Sequence, residues 1–199
     1  RERSISGLWE SDDRAIITPL IERLSMDSEA SVREAAALAL GRFAELAQVG
    51  KLLSRDAISV RDALIQSLRN EAEGIDVRRR ALEGVAPFGL PEVKQWVIWA
   101  YKSSDQALRQ SAVFAMGKSA DQIWIETIKQ ELENNQPAMR YEAANACREF
   151  GDEELVPYLG FRLNDQDQQV QIATIHALGS IGGEVARTLL RENVNSDDQ

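Results

Sequence analysis

The sequence repeats a ten-residue phrase at a fixed interval. The phrase reads LRQSAVFAMG at 108–117, MRYEAANACR at 139–148 and VQIATIHALG at 170–179, so each copy begins 31 residues after the one before. Related phrases begin at residues 32 and 77, which makes the first step 45 residues long. A fixed period of this length is typical of repeat architectures, in which one supersecondary unit stacks on copies of itself. The period therefore constrains the fold more than any other feature.

Each phrase predicts a helix with one buried face. The first, fifth and ninth residues of a phrase lie on one side of a helix with 3.6 residues per turn. Small residues at the fifth position allow a neighbouring helix to approach closely. The fifth-position residues are Ala36, Ala81, Ala112, Ala143 and Thr174, and the ninth-position residues are Leu40, Val85, Met116, Cys147 and Leu178.

A second apolar stripe precedes each phrase and predicts another helix in every repeat. Its residues step by four along the chain, as Val93, Val97 and Tyr101 do. Short turns rich in Asp, Asn and Ser separate the two helices, and no segment alternates with a period of two. We therefore predict an all-α fold, a right-handed α-α superhelix in which antiparallel helix pairs stack as a solenoid.

The expected organisation is a single array over residues 1–199. It comprises a half-repeat at 1–9, repeats at about 13–45, 57–88, 91–118, 121–150 and 153–181, and a terminal half-repeat at 183–193. Residues 46–56 are an insertion, interpreted as a helix extension plus a loop in preference to a binding loop or a bend. Because solenoids need polar capping repeats, the two half-repeats predict that the chain is a segment of a longer array.

This pattern resembles the HEAT-repeat family in its short form of about 31 residues, as in phycobilisome-lyase-like repeats. The resemblance rests on the Ala/Ala/Leu/Gly pattern and on the pairs Val32-Arg33, Val77-Arg78, Leu108-Arg109 and Met139-Arg140. The regular arginines, with Asp27, Asp76 and Asp105 in nearby turns, predict a structural ladder of Asp–Arg contacts in preference to a phosphate site. Gln171 replaces the arginine in the fifth copy, where the contact is not expected.

Charge and cysteine content bound the choice of partner and compartment. The net charge is −9, with 16 acidic and 14 basic residues in 1–100 and 16 acidic and 9 basic residues in 101–199. An acidic surface repels phosphate backbones and anionic lipids, so we expect a protein partner and neither nucleic acid nor membrane. The single cysteine cannot form an internal disulfide, which favours a reducing, cytoplasmic location.

Two surfaces hold candidate binding residues. The resemblance to HEAT arrays implies that the second helices line an inner groove, and exposed aromatic and arginine residues are typical of interface hot spots. The alternative for each residue is ordinary packing against a neighbouring helix. The inner-face candidates are Leu38, Arg79, Arg80, Glu83, Phe114, Tyr141, Asn145, Ile172 and His176, and the weaker outer-face candidates are Trp99 and Phe161.

The sequence predicts no catalytic site and no cofactor. His176 is the single histidine, which excludes a multi-histidine metal site, and Cys147 falls in the buried stripe. We therefore predict a non-catalytic scaffold that binds a protein along the inner groove. The alternative, which rests on the short-repeat resemblance alone, is a bilin-lyase-like subunit or chaperone that acts on phycobiliprotein-type partners.

Overall fold

A computed structural model describes residues 12–196, and this part of the chain is all-helical, without a β-strand. The predicted all-α repeat fold is confirmed, while the predicted half-repeat at 1–9 lies outside the described residues. Among the described helices, none is long and apolar enough to span a membrane. The α-helices are α1 Ile17–Met26, α2 Ala30–Gln48, α3 Ser54–Arg69, α4 Ile75–Val85, α5 Pro91–Tyr101, α6 Gln106–Ser119, α7 Ile125–Leu132, α8 Pro137–Phe150, α9 Val156–Gly160, α10 Gln168–Ile181 and α11 Gly183–Ser196.

The described residues divide into two compact units, with the boundary between Ala115 and Met116 in α6. In unit 1, α1 pairs with α2 and α3 with α4, while α1 packs beside α3 and α2 beside α4. In unit 2, α7 pairs with α8 and α9 with α10, while α8 packs beside α10 and α9 beside α11. Each unit is therefore a two-layered stack of helix pairs. The odd-numbered helices are called first helices below, and the even-numbered ones second helices.

The periodic apolar stripes form the cores of both units. A fully buried Leu or Ile side chain contributes about 1.5–3 kcal/mol relative to an exposed one, so the stripes stabilise the layers by hydrophobic burial. All of the fifth- and ninth-position residues of the phrases are buried. Buried first-helix residues include Val60, Leu64 and Leu68 in unit 1 and Ile128, Leu132 and Leu159 in unit 2, where Trp124 and Leu155 are buried directly before α7 and α9.

Second helices also approach each other closely at glycines near the end of the phrase. In unit 1, a Cβ placed on Gly84 would lie 3.3 Å from the Cα of Gly41. In unit 2, a Cβ placed on Gly117 would lie 2.7 Å from the Cα of Ala146. Because backbone atoms face these glycines, a larger residue would force the helices apart. Gly84 and Gly117 are therefore two further positions at which the residue is required to be small.

The hairpin turns share one local motif. The side chains of Asp27, Asn134 and Asp165 each accept a hydrogen bond from the backbone N–H two residues later, at 3.1, 2.8 and 3.0 Å. Such Asx turns reverse the chain without a helical hydrogen bond. The period of 31 residues that separates Asn134 from Asp165 is thus also the period of the turn chemistry.

A side chain six residues after each of these turn residues holds the turn against the second helix. Arg33 donates from Nη1 to the backbone carbonyl of Asp27 at 2.7 Å, and Arg140 donates to that of Asn134 at 2.8 Å. In the fifth copy, Gln171 donates from Nε2 to the carbonyl of Asp165 at 2.6 Å. The glutamine therefore keeps the contact to the carbonyl.

The carboxylate partners of the arginines come from the following turn. Arg33 forms two hydrogen bonds with Glu73, at 2.8 and 2.9 Å, and Arg140 forms two with Asp165, at 2.7 and 2.6 Å. Hydrogen bonds from Arg140 hold the pKa of Asp165 below its ordinary value, against the opposing effect of burial. The arginine ladder therefore connects successive repeats as well as the two helices of one repeat.

Two of the predicted Asp–Arg contacts are wrong. Asp76 forms its ion pair with Arg79, at 3.0 Å, and the carboxylate of Asp105 accepts from the backbone N–H of Leu108 at the start of α6, at 2.8 Å. Asp76 lies in the first turn of α4, where a helical neighbour is its nearest partner. Asp105 directly precedes α6, where the first backbone N–H groups of the helix are its nearest partners. Neither carboxylate pairs with Arg78 or Arg109.

Residues 46–56 comprise the end of α2, a connection at 49–53 and the start of α3. Leu46 and Leu52 are buried, and the backbone N–H of Lys51 donates to the carbonyl of Leu46 at 2.8 Å. The connection is therefore anchored to unit 1 by both apolar packing and a backbone hydrogen bond.

A residue in the left-handed region follows successive repeats at the same 31-residue interval. The φ angles are +60° at Gly89, +46° at Ala120, +63° at Gly151 and +74° at Gly182. Within residues 12–196, Ala120 is the single non-glycine residue with a positive φ. A Cβ in this conformation costs about 1–2 kcal/mol, and glycine loses about 0.5–1 kcal/mol more backbone entropy on folding.

We therefore expect Ala120→Gly to raise the free energy of unfolding by about 0.5–1 kcal/mol. Urea titration followed by circular dichroism measures this change. The reciprocal control is Gly151→Ala, which introduces the same strain and should lower stability. A destabilised Ala120→Gly variant would show that the left-handed conformation is not strained at this position.

Candidate functional site

The second helices of unit 2 present a partly apolar surface, called the unit 2 face. Tyr141 and Asn145 lie on α8, and Ile172, Ile175 and His176 lie on α10. Tyr141 is 37% exposed and Ile172 39%, while Ile175 and His176 are exposed and Asn145 is half-buried. Tyr141 and Ile172 occupy the same position of neighbouring phrases, and α8 packs against α10. The axes of packed helices lie about 8–10 Å apart, so these two side chains come from equivalent positions of adjacent helices.

Ile175 belongs to the unit 2 face although its position in the repeat did not mark it as a candidate. It lies three residues after Ile172 and one before His176, so the three side chains project from one side of α10. The signal that could have found it is this spacing, which places an apolar residue beside a candidate. The structure thus groups three exposed apolar side chains in unit 2.

The corresponding face of unit 1 is a network of charges. Arg79 donates to Glu34 on α2 at 3.1 Å, and Arg80 donates to Glu83 at 2.8 Å. The hydroxyl of Ser111 on α6 donates to the carboxylate of Glu83. The network therefore connects α2, α4 and α6. Its two arginines and Glu83 are half-buried and already have partners.

Opposing effects set the pKa of Arg80. Burial lowers it, but the attraction and hydrogen bonds of Glu83 and Glu34 outweigh burial and raise the pKa overall. The remaining unit 1 candidates are apolar. Leu38 on α2 is exposed, and Phe114 on α6 is half-buried.

The two outer-face candidates have different surroundings. The guanidinium of Arg78 lies over the ring of Trp99 on α5, 4.3 Å from the ring centroid. A cation therefore already covers one side of this ring. Phe161, directly after α9, is 76% exposed. It lines a cleft of about 360 Å³ together with Leu132, Glu133, Tyr158 and Arg162.

Tyr158 was not a candidate from the repeat pattern. It lies three residues before Phe161, and the Nζ of Lys129 lies 5.0 Å from its ring centroid. Glu126 accepts a hydrogen bond from Lys129 at 2.9 Å, and this bond is the main cause of the raised pKa of Lys129. The i, i+3 spacing of Tyr158 in a short helix and Phe161 directly after it is the signal that could have identified this surface.

The groups with nucleophilic or metal-binding chemistry do not form a site. Cys147 is buried in the core of unit 2, and burial raises the pKa of its thiol to about 12. At neutral pH the thiol therefore stays protonated, as expected for a structural core cysteine. Within residues 12–196, no three His, Cys, Asp or Glu side chains are grouped so that they could hold a metal ion.

Comparison with known families identifies the repeat. A family model described as HEAT repeats matches residues 125–199, and a model described as HEAT repeat matches residues 16–47. Together the two matches cover more than half of the sequence. No curated protein is similar enough in sequence to match.

Solved structures show the same fold. A designed armadillo repeat protein in complex with the peptide (KR)4 is similar over 91% of this chain and 91% of its own, with a TM-score of 0.55 and 16% identity. An engineered protein solved by a structural genomics consortium is similar over 90% of this chain and 88% of its own, with a TM-score of 0.55 and 19% identity. At these identities the similarity establishes the helical repeat fold.

Proposed function

Since the chain belongs to the HEAT-repeat family, we propose that it is a non-catalytic scaffold that binds a protein partner on the unit 2 face. The observation that carries this proposal is the pair of exposed apolar side chains at the same position of neighbouring repeats, Tyr141 and Ile172. Stacked helix pairs repeat any surface position at a regular spacing, which suits an elongated ligand. The buried, protonated Cys147 agrees with a binding role without nucleophilic chemistry.

The geometry favours an extended peptide segment as the bound element. A separation of about 8–10 Å between neighbouring helices corresponds to about three residues of extended chain at about 3.3 Å per residue. A segment that crosses α8 and α10 in the polyproline II conformation, with three residues per turn and a rise of about 3.1 Å per residue, would therefore direct the apolar side chains of residues i and i+3 at Tyr141 and at Ile172 with Ile175. Asn145 and His176 offer hydrogen-bonding groups at the edge. The peptide complex of the designed armadillo repeat protein supports this mode by analogy.

We assign unit 1 a smaller part in this function. Leu38 and Phe114 are its apolar candidates, and Arg79, Arg80 and Glu83 are its charged ones. Charges that are already paired and partly desolvated gain little from an additional partner. The unit 1 network is therefore proposed to contribute little affinity, and the unit 2 face to supply most of it.

The test compares two double variants that remove equal numbers of exposed apolar side chains. Tyr141→Ser/Ile172→Ser alters the unit 2 face, and Ile123→Ser/Val185→Ser alters residues that are 57% and 60% exposed and lie outside it. Proteins retained from an extract of the source cells by the immobilised chain are quantified by mass spectrometry. Loss of two apolar contacts of at least about 1 kcal/mol each should lower the affinity for a partner more than about 10-fold.

The expected result is a protein retained by the wild type and by Ile123→Ser/Val185→Ser, and depleted with Tyr141→Ser/Ile172→Ser. Circular dichroism melts should show all three chains folded, because the substituted side chains are exposed. Equal depletion by both double variants, or retention by both, would contradict the assignment of binding to the unit 2 face.

A further inference from the structure

The cleft beside Phe161 lies on the first helices of unit 2 and is separate from the unit 2 face. Leu132 and Glu133 border it at the end of α7, and Tyr158, Phe161 and Arg162 border it at α9. We propose that this Phe161 cleft is a second binding site, and that its ligand is an arginine side chain of a partner peptide. The proposal does not rest on the function assigned to the unit 2 face.

The ring of Phe161 is an uncovered aromatic surface. It is 76% exposed, and among the described residues no cation lies over it. Aromatic faces attract cations through the ring quadrupole, and the attraction is stronger when the pair is desolvated. The same surface already makes this contact once, because Lys129 lies over Tyr158. Phe161 is the neighbouring ring that still lacks a cation.

A carboxylate without an ion-pair partner borders the same cleft. Glu133 is exposed, and no ion pair joins it to another residue of the described chain. The positive group in the cleft is already engaged, since Nη1 of Arg162 lies 3.4 Å from Asp165. A ligand that enters the cleft therefore meets the ring of Phe161, which no cation of the described residues covers, and the carboxylate of Glu133, which has no ion-pair partner among them.

The charge of unit 2 favours a cationic ligand. Residues 116–199 contain 15 acidic and 7 basic residues, so nearly all of the chain's net charge of −9 resides there. The field of such a surface attracts cations and repels anions before contact. An apolar side chain in the cleft would desolvate Glu133 without replacing its hydrogen bonds, which is costly.

Arginine fits these groups better than lysine. A planar guanidinium can stack on a ring while its N–H groups donate, in the plane, to a carboxylate. An ammonium group is a compact point charge and is more strongly hydrated, so it gains less from the ring. The combination of an exposed phenylalanine with a free glutamate therefore selects an arginine-bearing peptide.

The probe is a fluorescein-labelled peptide with four arginines separated by Gly-Ser, and its control replaces each arginine with neutral, isosteric citrulline. Fluorescence anisotropy with the full chain is measured at low and at physiological ionic strength. We expect the arginine peptide to bind and the citrulline peptide not to bind. Phe161→Ala should weaken binding about 5-fold, the change that a cation–π contact of about 1 kcal/mol implies. Glu133→Gln should weaken it at least about 3-fold.

Three further variants distinguish binding in the Phe161 cleft from apolar contact, from general charge attraction and from binding on the unit 2 face. Phe161→Leu keeps apolar bulk without an aromatic face and should weaken binding as much as Phe161→Ala. Glu71→Gln removes an exposed charge from unit 1 and should leave binding unchanged. Tyr141→Ser/Ile172→Ser should also leave it unchanged, which keeps this test distinct from the function proposed for the unit 2 face.

Four results would overturn the proposal. They are failure of the wild type to bind the arginine peptide, equal binding of the citrulline peptide, wild-type affinity in Phe161→Leu, and equal weakening by Glu71→Gln and Glu133→Gln. The last result would identify general attraction to an acidic surface. Because Phe161 is exposed, its variants should fold, and an unchanged melting curve confirms this for each variant.

Discussion

Replacing Asp165 with asparagine should lower the free energy of unfolding by about 3–5 kcal/mol, the usual cost of removing one partner of a buried ion pair. The side chains of Asp165 and Arg140 are 2% and 10% exposed, and two hydrogen bonds join them at 2.7 and 2.6 Å. Asparagine has nearly the same shape but leaves the guanidinium charge of Arg140 uncompensated. Asp165 also accepts from the backbone N–H of Asp167, which shapes the turn before α10.

The effect should depend on pH. The folded-state pKa of Asp165 is lowered, so its contribution to stability is complete above the ordinary aspartate pKa and is lost as the pH falls through the folded pKa. The stability difference between wild type and Asp165→Asn should therefore be largest near neutral pH and shrink below about pH 4.

Cys147 offers a local measurement of this prediction. It is the single cysteine of the chain and is buried in unit 2, so it reacts with a thiol reagent only when its surroundings open. Labelling of Cys147 should be strongly accelerated in Asp165→Asn, in parallel with a lower urea midpoint. The control Glu126→Gln breaks an exposed ion pair and should change stability by less than about 1 kcal/mol. Wild-type labelling in Asp165→Asn would contradict a stabilising role for the buried pair.

Replacing two equivalent glycines with alanine should have opposite effects on the free energy of unfolding. Gly117 and Gly179 occupy the same position of phrases two repeats apart. A Cβ at 117 would lie 2.7 Å from the Cα and 2.8 Å from the Cβ of Ala146, whereas a Cβ at 179 would meet nothing within 4 Å. Gly117→Ala should therefore cost about 1–3 kcal/mol through overpacking. Gly179→Ala should stabilise by up to about 1 kcal/mol through helix propensity.

Because the two substitutions are chemically identical, their difference isolates helix packing from helix propensity. Urea titration of both variants beside the wild type measures it. If Gly117→Ala proved as stable as Gly179→Ala, the close approach of α6 to α8 at this position would be wrong.

The helix pairs and the cores could be predicted from the sequence because they depend on local periodicity. Val60, Ile128 and Leu159 are buried where the stripes place them, since each helix offers the same face to its neighbours. The positions with positive φ at Gly89, Gly151 and Gly182 share that period, although the sequence analysis did not single them out and Ala120 occupies the same position.

Long-range pairing was less accessible from the sequence. The carboxylates that hold Arg33 and Arg140 come from the following turn, and their identity as Glu73 and Asp165 depends on how one repeat stacks on the next. Asp76 was a plausible partner for a ladder arginine because it lies close to Arg78 along the chain. In the structure Asp76 instead pairs with Arg79, three residues later on the same helix. Sequence spacing thus identified two donors of the ladder, Arg33 and Arg140, and missed their carboxylate acceptors.

The candidate site illustrates the same limit. Arg79, Arg80 and Glu83 were candidates on a second helix, but the repeat pattern did not indicate that Glu34 and Ser111 would engage them. Tyr158 and Ile175 were missed because neither lies in the columns taken to line the groove. Ile175 is exposed although Ala144 and Val113, one and two periods earlier, are buried. Exposure depends on the shape of the surface around a residue, which periodicity alone does not describe.

Site-directed photocrosslinking tests the central claim, protein binding on the unit 2 face, most directly. A benzoylphenylalanine residue would replace exposed His176 on this face or, in a matched chain, exposed Val185 on α11. Illumination in extract of the source cells should give a discrete adduct from position 176 and none of the same mass from position 185. No adduct from position 176, or equal adducts from both positions, would contradict the claim.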